Sequence, residues 1–311
     1  MKTISIVSGC YNEEANLNEL FTRITCVMAE AVNYKWELIV IDNNSTDNSR
    51  DLIRAQTKRD PRIKAIFNIR NFGHIRSPYH AILQASGDAV IYLASDLQDP
   101  PELITQFIKK WEEGNKVVAA IKNESEETPL FYLARKSYYT AVSGLSEVDL
   151  LKNFTGFGLY AQEVIDQLRK MDDPYPYFRG QISELGYPVE KIFFLQPKRK
   201  RGFSKNNFYT LYDIAMLGFT NHTKIPLRIA SMLGFSMSAI CFLVGLSYLF
   251  IKLTHWDTFQ LGIAPMVIGL FLTASIQLFF IGIIGEYIGA ILTKVSRRPL
   301  VVESERINFN T

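Results

Sequence analysis

The stretch DAVIYLASDLQDPPELITQFIKKWEEG, Asp88 to Gly114, decides the fold. A short apolar run, DAVIYLA, reads as a strand buried on both faces. It leads into a loop with two acids, Asp96 and Asp99, and one amide, Gln98. Two prolines then stop the chain, and PELITQFIKKWEEG reads as a helix ended by Gly114. Working outward, the same unit recurs. ISIVSG is a strand, followed by Asn12, Glu13 and Glu14 and by a helix with Leu17, Leu20, Phe21 and Ile24 on one face. WELIVID is a strand ending at Asp42; the polar loop NNSTDNS follows it and opens a helix, with Ser45 or Thr46 able to cap it and Asp47 read as a cap. IKAIFNI and VVAAI are further strands, and a helix spans about Ser77 to Ala85. Strands alternating with helices predict a parallel, doubly wound α/β sheet. Ligands of such sheets bind beyond the carboxyl ends of the strands. The loops Tyr11–Glu14, Asp42–Asp47 and Ser95–Asp99 are therefore expected along one edge.

That edge carries hard oxygen ligands, which suit Mg²⁺ or Mn²⁺. No GxGxxG follows the first strand and no GxxxxGK[ST] occurs, which argues against a dinucleotide-binding protein and a P-loop nucleotidase. An acidic edge without a glycine phosphate cradle needs a cation to hold a diphosphate. Composition narrows the class further. Lys plus Arg is 34 against 31 Asp plus Glu, a net charge of +3, too balanced to suggest a nucleic-acid partner. Cys10, Cys26 and Cys241 are scattered, with neither a zinc spacing nor the even count of a disulfide framework. The N-terminus MKTISIVSGCYNEE lacks the apolar length of a signal peptide, so the first domain is expected in the cytoplasm.

The C-terminal third is different in kind. Residues 229–251 and 261–285 are two uncharged apolar runs. Either is long enough, at about 1.5 Å per residue, to cross a hydrocarbon core of roughly 30 Å. Together they predict a two-helix membrane hairpin. Lys224 and Arg228 precede it and Lys294, Arg297 and Arg298 follow it, which places both termini on the cytoplasmic side of the inner (plasma) membrane. Between the domain and the hairpin, Phe208, Leu211, Tyr212, Ala215, Met216 and Phe219 form an apolar helix face preceded by the basic run KRKR, Lys198 to Arg201. This segment packs on the domain or lies in the bilayer interface. The expected division is a cytoplasmic catalytic domain over 1–205, an amphipathic juxtamembrane helix over 206–225, the two membrane helices within 226–292, and a cytoplasmic tail over 293–311.

The ordered segments SGCYNEE, IDNNSTDNS, NIRNFGH, LASDLQDPPEL, NFTGFGLYAQEVID, RKRGFSK and GIIGEYIGAILTKVSRRPL span nearly the whole chain. They resemble the family-2 glycosyltransferases with the GT-A fold, the nucleotide-diphospho-sugar transferase fold. Among those they resemble the polyprenyl-phosphate glycosyltransferases, such as dolichol-phosphate mannose synthase and the two-span GtrB-like bacterial subgroup. The resemblance implies inverting transfer of a sugar from a nucleotide diphosphate, with UDP-hexoses favoured, to a polyprenyl phosphate such as undecaprenyl phosphate. It implies a lipid product for cell-surface glycan or O-antigen modification, and a homo-oligomer, with a tetramer as the form the relatives suggest. Tyr11, Asn12, Glu13, Asp42 and Asn43 would face the nucleotide. Asp96 would hold the metal with Gln98 and also meet the nucleotide. Lys122 and Arg135 would grip phosphates. Arg199, Arg201 and Lys205, with Arg135, would meet the lipid phosphate.

Three departures stand out: Ala94 replaces the first Asp of the family's DAD, Asn43 the second acid of DDGS, and Gly156 and Gly158 the Asp and Arg of GDFR. A phosphate monoester is already anionic at neutral pH and needs no general base to become a nucleophile. The departing nucleoside diphosphate needs its growing charge neutralised by a metal or by Arg and Lys. A lost carboxylate is therefore tolerable where it served as a metal ligand, and Mg²⁺ needs only one or two protein carboxylates beside the substrate phosphates. The other reading of these losses is a catalytically impaired scaffold that binds nucleotide sugar or lipid.

Overall fold

The structure is a computed structural model that describes residues 1–123, 151, 153–197, 231–236, 239–240, 243–244, 247, 250, 253–254, 263–296 and 298–309. One sheet holds β1 (Thr3–Cys10), β2 (Lys35–Asp42), β3 (Ile63–Asn68), β4 (Ala89–Ala94), β5 (Val117–Lys122), β6 (Phe154–Ala161), β7 (Val189–Phe194) and β8 (Glu303–Ile307). Its strand order is β7-β5-β6-β4-β1-β2-β3-β8. Helices α1 (Glu14–Glu30), α2 (Ser49–Arg59), α3 (Gly73–Gln84), α4 (Ile104–Glu112), α5 (Gln162–Met171) and α6 (Phe178–Glu184) belong to this domain, and α7 (Ile263–Val295) follows.

The strands β4, β1, β2 and β3 are parallel neighbours, as the alternating pattern predicts. The sheet as a whole is mixed, which corrects the all-parallel expectation. β6 runs antiparallel between β4 and β5, and β8 runs antiparallel along β3. Periodicity reports that a strand is buried on both faces; it carries no information about which strand lies beside it. Both faces of the sheet are covered. Ile4, Ile6, Leu38 and Val40 pack on one side with Leu17, Leu20, Ile24 and Phe107. Val7, Ile39 and Ile41 pack on the other with Tyr79, Ile82 and Leu168.

The two glycines at the GDFR positions are backbone requirements. Gly156 has φ +99°, in the range that L side chains rarely adopt. A Cβ on Gly158 would lie 2.3 Å from the Val118 carbonyl oxygen, inside the β5–β6 pairing. An Arg at that position would push the two strands apart.

Helix α7 has 33 residues, about 50 Å at 1.5 Å each, and so exceeds a hydrocarbon core of roughly 30 Å. Ile276–Val295 is long and apolar enough to span a membrane, with mean hydropathy 1.8 and none of it buried against protein. The second expected span ends at Gly285, whereas the helix continues to Val295. The described residues between 231 and 254 are helical as well. Past the helix the chain returns to the domain. The expected tail over 293–311 contains β8, paired with β3 and fixed by Arg54 to Glu305 at 2.8 Å and His80 to Glu303 at 2.6 Å. His80 is thus a structural pin. The juxtamembrane segment 206–225 lies outside the described residues.

Candidate active site

The register of the parallel strands aligns their carboxyl ends: Cys10 lies opposite Asp42, Asp42 opposite Phe67, and Gly9 opposite Ala94. The three acidic loops and the 69–73 loop after β3 therefore share one edge. Their side chains bind each loop to the next. The Asn12 backbone N–H donates to Ser45 Oγ at 2.8 Å, and Asn12 Oδ1 accepts the Thr46 N–H at 2.7 Å. The Glu13 N–H donates to Ser49 Oγ at 2.9 Å, and Asn16 Nδ2 donates to the Glu13 carboxylate at 2.6 Å. The Ser49 N–H donates to Asp47 Oδ1 at 3.0 Å, an Asx turn that leads into α2 one residue before its N-cap, Asn48. Tyr11 is half-buried between these loops.

Asp42 is fully buried. Its oxygens accept the Ser45 N–H at 3.3 and 3.1 Å, and Arg50 Nε lies 3.4 Å from Oδ2. Burial pushes its pKa above the ordinary carboxylate value, while Ser45 and Arg50 pull it back. Arg50 also donates to Asn44 Oδ1 at 3.2 Å and to Ser304 Oγ in β8 at 3.3 Å. Sequence reasoning missed this arginine. The available signal was a cation in the first turn of the helix after a strand-end acid.

Asn43 does not behave as a missing acid. Its Nδ2 donates to Asn71 Oδ1 at 2.8 Å and to the Gly73 carbonyl at 3.1 Å. Its Oδ1 accepts from Asn68 Nδ2 at 3.1 Å and from the Phe72 N–H at 2.8 Å. Both donors and both acceptor positions are committed. The amide holds the RNFG loop against β2, which a carboxylate, having no N–H, cannot do.

In the third loop, Ser95 Oγ donates to the Gly9 carbonyl at 2.7 Å and ties the loop to β1. Leu97 takes a left-handed φ of 60° and is buried, a conformation that costs a branched side chain of order 1–3 kcal/mol. The strain sits between Asp96 and Gln98 and turns them out of the core. Asp96 Oδ1 accepts the Gln98 N–H at 3.1 Å, while Asp96 Oδ2 and the Gln98 side chain form no hydrogen bond among the described residues. Asp99 is buried and accepts the Ala94 N–H at 3.0 Å. Burial pushes its pKa up to about 7; the Ala94 hydrogen bond opposes this, Asp96 adds to it, and Lys122 opposes it. Asp99 thus shapes the turn, and Lys122 at the end of β5 sits close enough to this loop for its charge to act there. Arg135, Arg199, Arg201 and Lys205 lie outside the described residues.

No group of three His, Cys, Asp or Glu side chains gathers as a metal cage among the described residues. One carboxylate and one amide oxygen at Asp96 and Gln98 fit a hard cation that takes its remaining ligands from a bound diphosphate and water.

A mixed α/β sheet covered on both faces, with the loops after its parallel strands gathered at one edge, is the arrangement of the GT-A fold. Residues 5–169 match Glycosyl transferase family 2, and the chain belongs to that family and is a glycosyltransferase. Residues 225–291 match the GtrB C-terminal hairpin, completing the two-part build of the GtrB-like polyprenyl-phosphate group. The chain is 32% identical over 299 residues to the uncharacterized glycosyltransferase YkcC of Bacillus subtilis, covering 96% of this chain and 92% of that one. It is 29% identical over 303 residues to the uncharacterized glycosyltransferase sll0501 of Synechocystis, covering 97% and 95%. It is 29% identical over 308 residues to the SfII prophage-derived bactoprenol glucosyl transferase of Shigella flexneri, covering 98% and 99%.

Proposed function

We propose that this protein transfers a sugar, with inversion, from a UDP-hexose to undecaprenyl phosphate or a closely related polyprenyl phosphate at the cytoplasmic face of the inner membrane. One observation carries this reading: the donor edge of the sheet is tethered to the end of a membrane-type helix. Val295 ends α7, and the Ile69 N–H after β3 donates to the Val302 carbonyl at 3.1 Å. Seven residues, Ser296 to Val302, connect the two, so they lie within about 25 Å of each other at roughly 3.5 Å per residue. The edge that would hold the donor is thereby kept near the membrane in which a lipid-borne acceptor lies. The apolar α7 surface supports the bilayer assignment: Met266, Leu270, Leu278 and Phe279 are all exposed, which water disfavours and lipid does not. The bactoprenol glucosyl transferase names of relatives matched over nearly the full chain support the acceptor and make glucose the first sugar to test.

In this reading Tyr11, Asn12, Glu13 and Asp42 shape the nucleotide pocket, and Asn43 positions its outer wall. Asp96 and Gln98 hold Mg²⁺ or Mn²⁺, which when bound neutralises charge growing on the diphosphate. Lys122 and Arg135 clamp phosphates, and Arg199, Arg201 and Lys205 meet the lipid phosphate. An oxygen of the acceptor phosphate attacks the anomeric carbon. The bond from that carbon to the β-phosphate oxygen breaks, and the nucleoside diphosphate leaves with the electron pair. No proton has to be removed, so an acid-poor site suffices. The membrane hairpin, the juxtamembrane helix and the cytoplasmic location of both termini belong to the same proposal.

The test incubates the full chain with undecaprenyl phosphate, a panel of UDP-sugars and Mg²⁺ or Mn²⁺. Glycolipid is expected with one donor, and its rate is expected to fall by about 100-fold or more in Asp96→Ala and on chelation. Activity unchanged in Asp96→Ala would refute the metal assignment. Absence of glycolipid with every donor would favour a binding scaffold.

A further inference from the structure

Three arginines meet where the chain leaves α7 and joins the sheet. The Arg70 guanidinium lies 3.9 Å from the centroid of the Phe72 ring, and that of Arg76 lies 5.5 Å from the same centroid. Arg76 donates to the carbonyl of Pro299, the neighbour of Arg298. Arg76 Nε is buried and has no hydrogen-bond partner among the described residues. Desolvation holds the Arg76 pKa below its ordinary value, and the Arg70 and Arg298 charges add to the effect. Among the described residues no carboxylate pairs with any of the three. Arg23, Arg50, Arg54, Arg62, Arg169 and Arg306 each pair with one.

Arg70 also donates to the Asn71 carbonyl at 3.1 Å, but backbone carbonyls leave the like charges of the cluster uncompensated, and an anion would relieve them. Its surroundings indicate which kind. Ile69 and Val302, joined by a backbone hydrogen bond, are 52% and 44% exposed beside the arginines. Exposed aliphatic groups next to cations suit the headgroup layer of a bilayer. Arg298 is three residues past the end of α7. Arg70 follows β3, and β4 with Asp96 lies three strand positions away, about 14 Å at roughly 4.8 Å per strand. A diphosphate held at Asp96 would not fill a site beyond β3.

We propose that Arg70, Arg76 and Arg298, flanked by Ile69 and Val302, bind the phosphate of an anionic phospholipid and seat the ligand edge of the sheet on the membrane surface. The site rests on α7 crossing the bilayer and not on the identity of the sugar or acceptor. It adds a lipid contact on the β3–β8 side of the domain, away from the segment 198–205.

The experiment follows thermal unfolding of the full chain in neutral detergent while short-chain phosphatidylglycerol or phosphatidylcholine is added. Binding to the folded state alone raises the midpoint with ligand concentration. Phosphatidylglycerol is expected to raise it by a few degrees and phosphatidylcholine not at all, with the rise suppressed at roughly 0.5 M salt. Arg298→Gln, an exposed position, is expected to keep the starting midpoint and lose at least half of the rise. Arg70→Gln combined with Arg298→Gln is expected to lose nearly all of it. Inactive Asp96→Ala is expected to keep the full rise, which separates this site from the transfer reaction. An equal rise in wild type and Arg298→Gln, no rise with phosphatidylglycerol, or an equal rise with inorganic phosphate would overturn the proposal.

Discussion

Replacing Arg50 with Met tests how far the guanidinium offsets the cost of burying Asp42. Arg50 Nε stands 3.4 Å from Asp42 Oδ2, with side chains 25% and 0% exposed. At an effective dielectric of about 20, two unit charges at that distance attract by about 5 kcal/mol. Arg50 Nε makes no hydrogen bond to the carboxylate, and its partial exposure screens the charge, so roughly half survives, about 2–3 kcal/mol. Losing that attraction moves the Asp42 pKa further up. Methionine keeps an unbranched aliphatic chain of similar reach and removes the charge, together with the guanidinium contact on the Phe67 ring at 5.2 Å. The sign follows from linkage. Asp42 already has a folded pKa above its unfolded value, so its contribution to stability is fully present below the unfolded value and is lost as pH rises through the folded one. Arg50→Met raises the folded value further, so more stability is lost on the way up. Variant and wild type should be closest at acid pH and differ by roughly 4–12 °C in melting midpoint at pH 8. Ser304→Ala, which removes the hydrogen bonds of Ser304 Oγ with Arg50 and with the Phe67 carbonyl but no charge, should move the midpoint by a few degrees and by the same amount at every pH. Thermal unfolding of the full chain in detergent, followed between pH 4 and pH 8, reads the gap. A gap of equal size at both ends of the range, or none at pH 8, would refute the electrostatic reasoning and leave Arg50 as a packing residue.

Asn43→Asp, which restores the acid of the family pattern, is expected to destabilise the protein by about 1–3 kcal/mol, because carboxylate oxygens would face Asn71 Oδ1 and the Gly73 carbonyl; chemical denaturation measures it, and unchanged stability would show that the amide does not pin the loop. Gly158→Ala is expected to abolish stable folding or lower the midpoint by more than 10 °C, since its Cβ meets backbone at 2.3 Å, whereas an alanine at Gly186, with φ +71° and open space, should cost about 1 kcal/mol; similar losses at the two sites would mean that β6 shifts freely.

The sequence made the parallel half of the sheet legible because β1 to β4 follow one another with helices between them, and each strand is an apolar run ending in polar residues. The same runs predicted which loops meet at the ligand edge, and the register confirms that Tyr11, Asp42 and Asp96 follow strands with aligned ends. The sequence favoured Asp96 as the ligand and Asp99, standing before Pro100, as part of the turn; the structure adds the means, a left-handed Leu97 between them and Asp99 buried on the Ala94 N–H. Sequence alone did not separate an absent acid from a required amide at Asn43, since that depends on four partners in one segment, residues 68–73, that only the fold brings beside β2.

Local pattern, read along the chain, determined the α/β class, the apolar C-terminal segments and the hard-oxygen character of the edge, because each follows from interactions between residues near in sequence. The tertiary structure decided what depends on distant partners. It set β6 between β4 and β5, where Gly158 is required. It returned the chain beyond α7 to β3, so that Arg50 joins Asp42 to β8 and Arg76 meets Pro299. These contacts join segments as much as 254 residues apart, and their energies depend on three-dimensional placement that no local periodicity encodes.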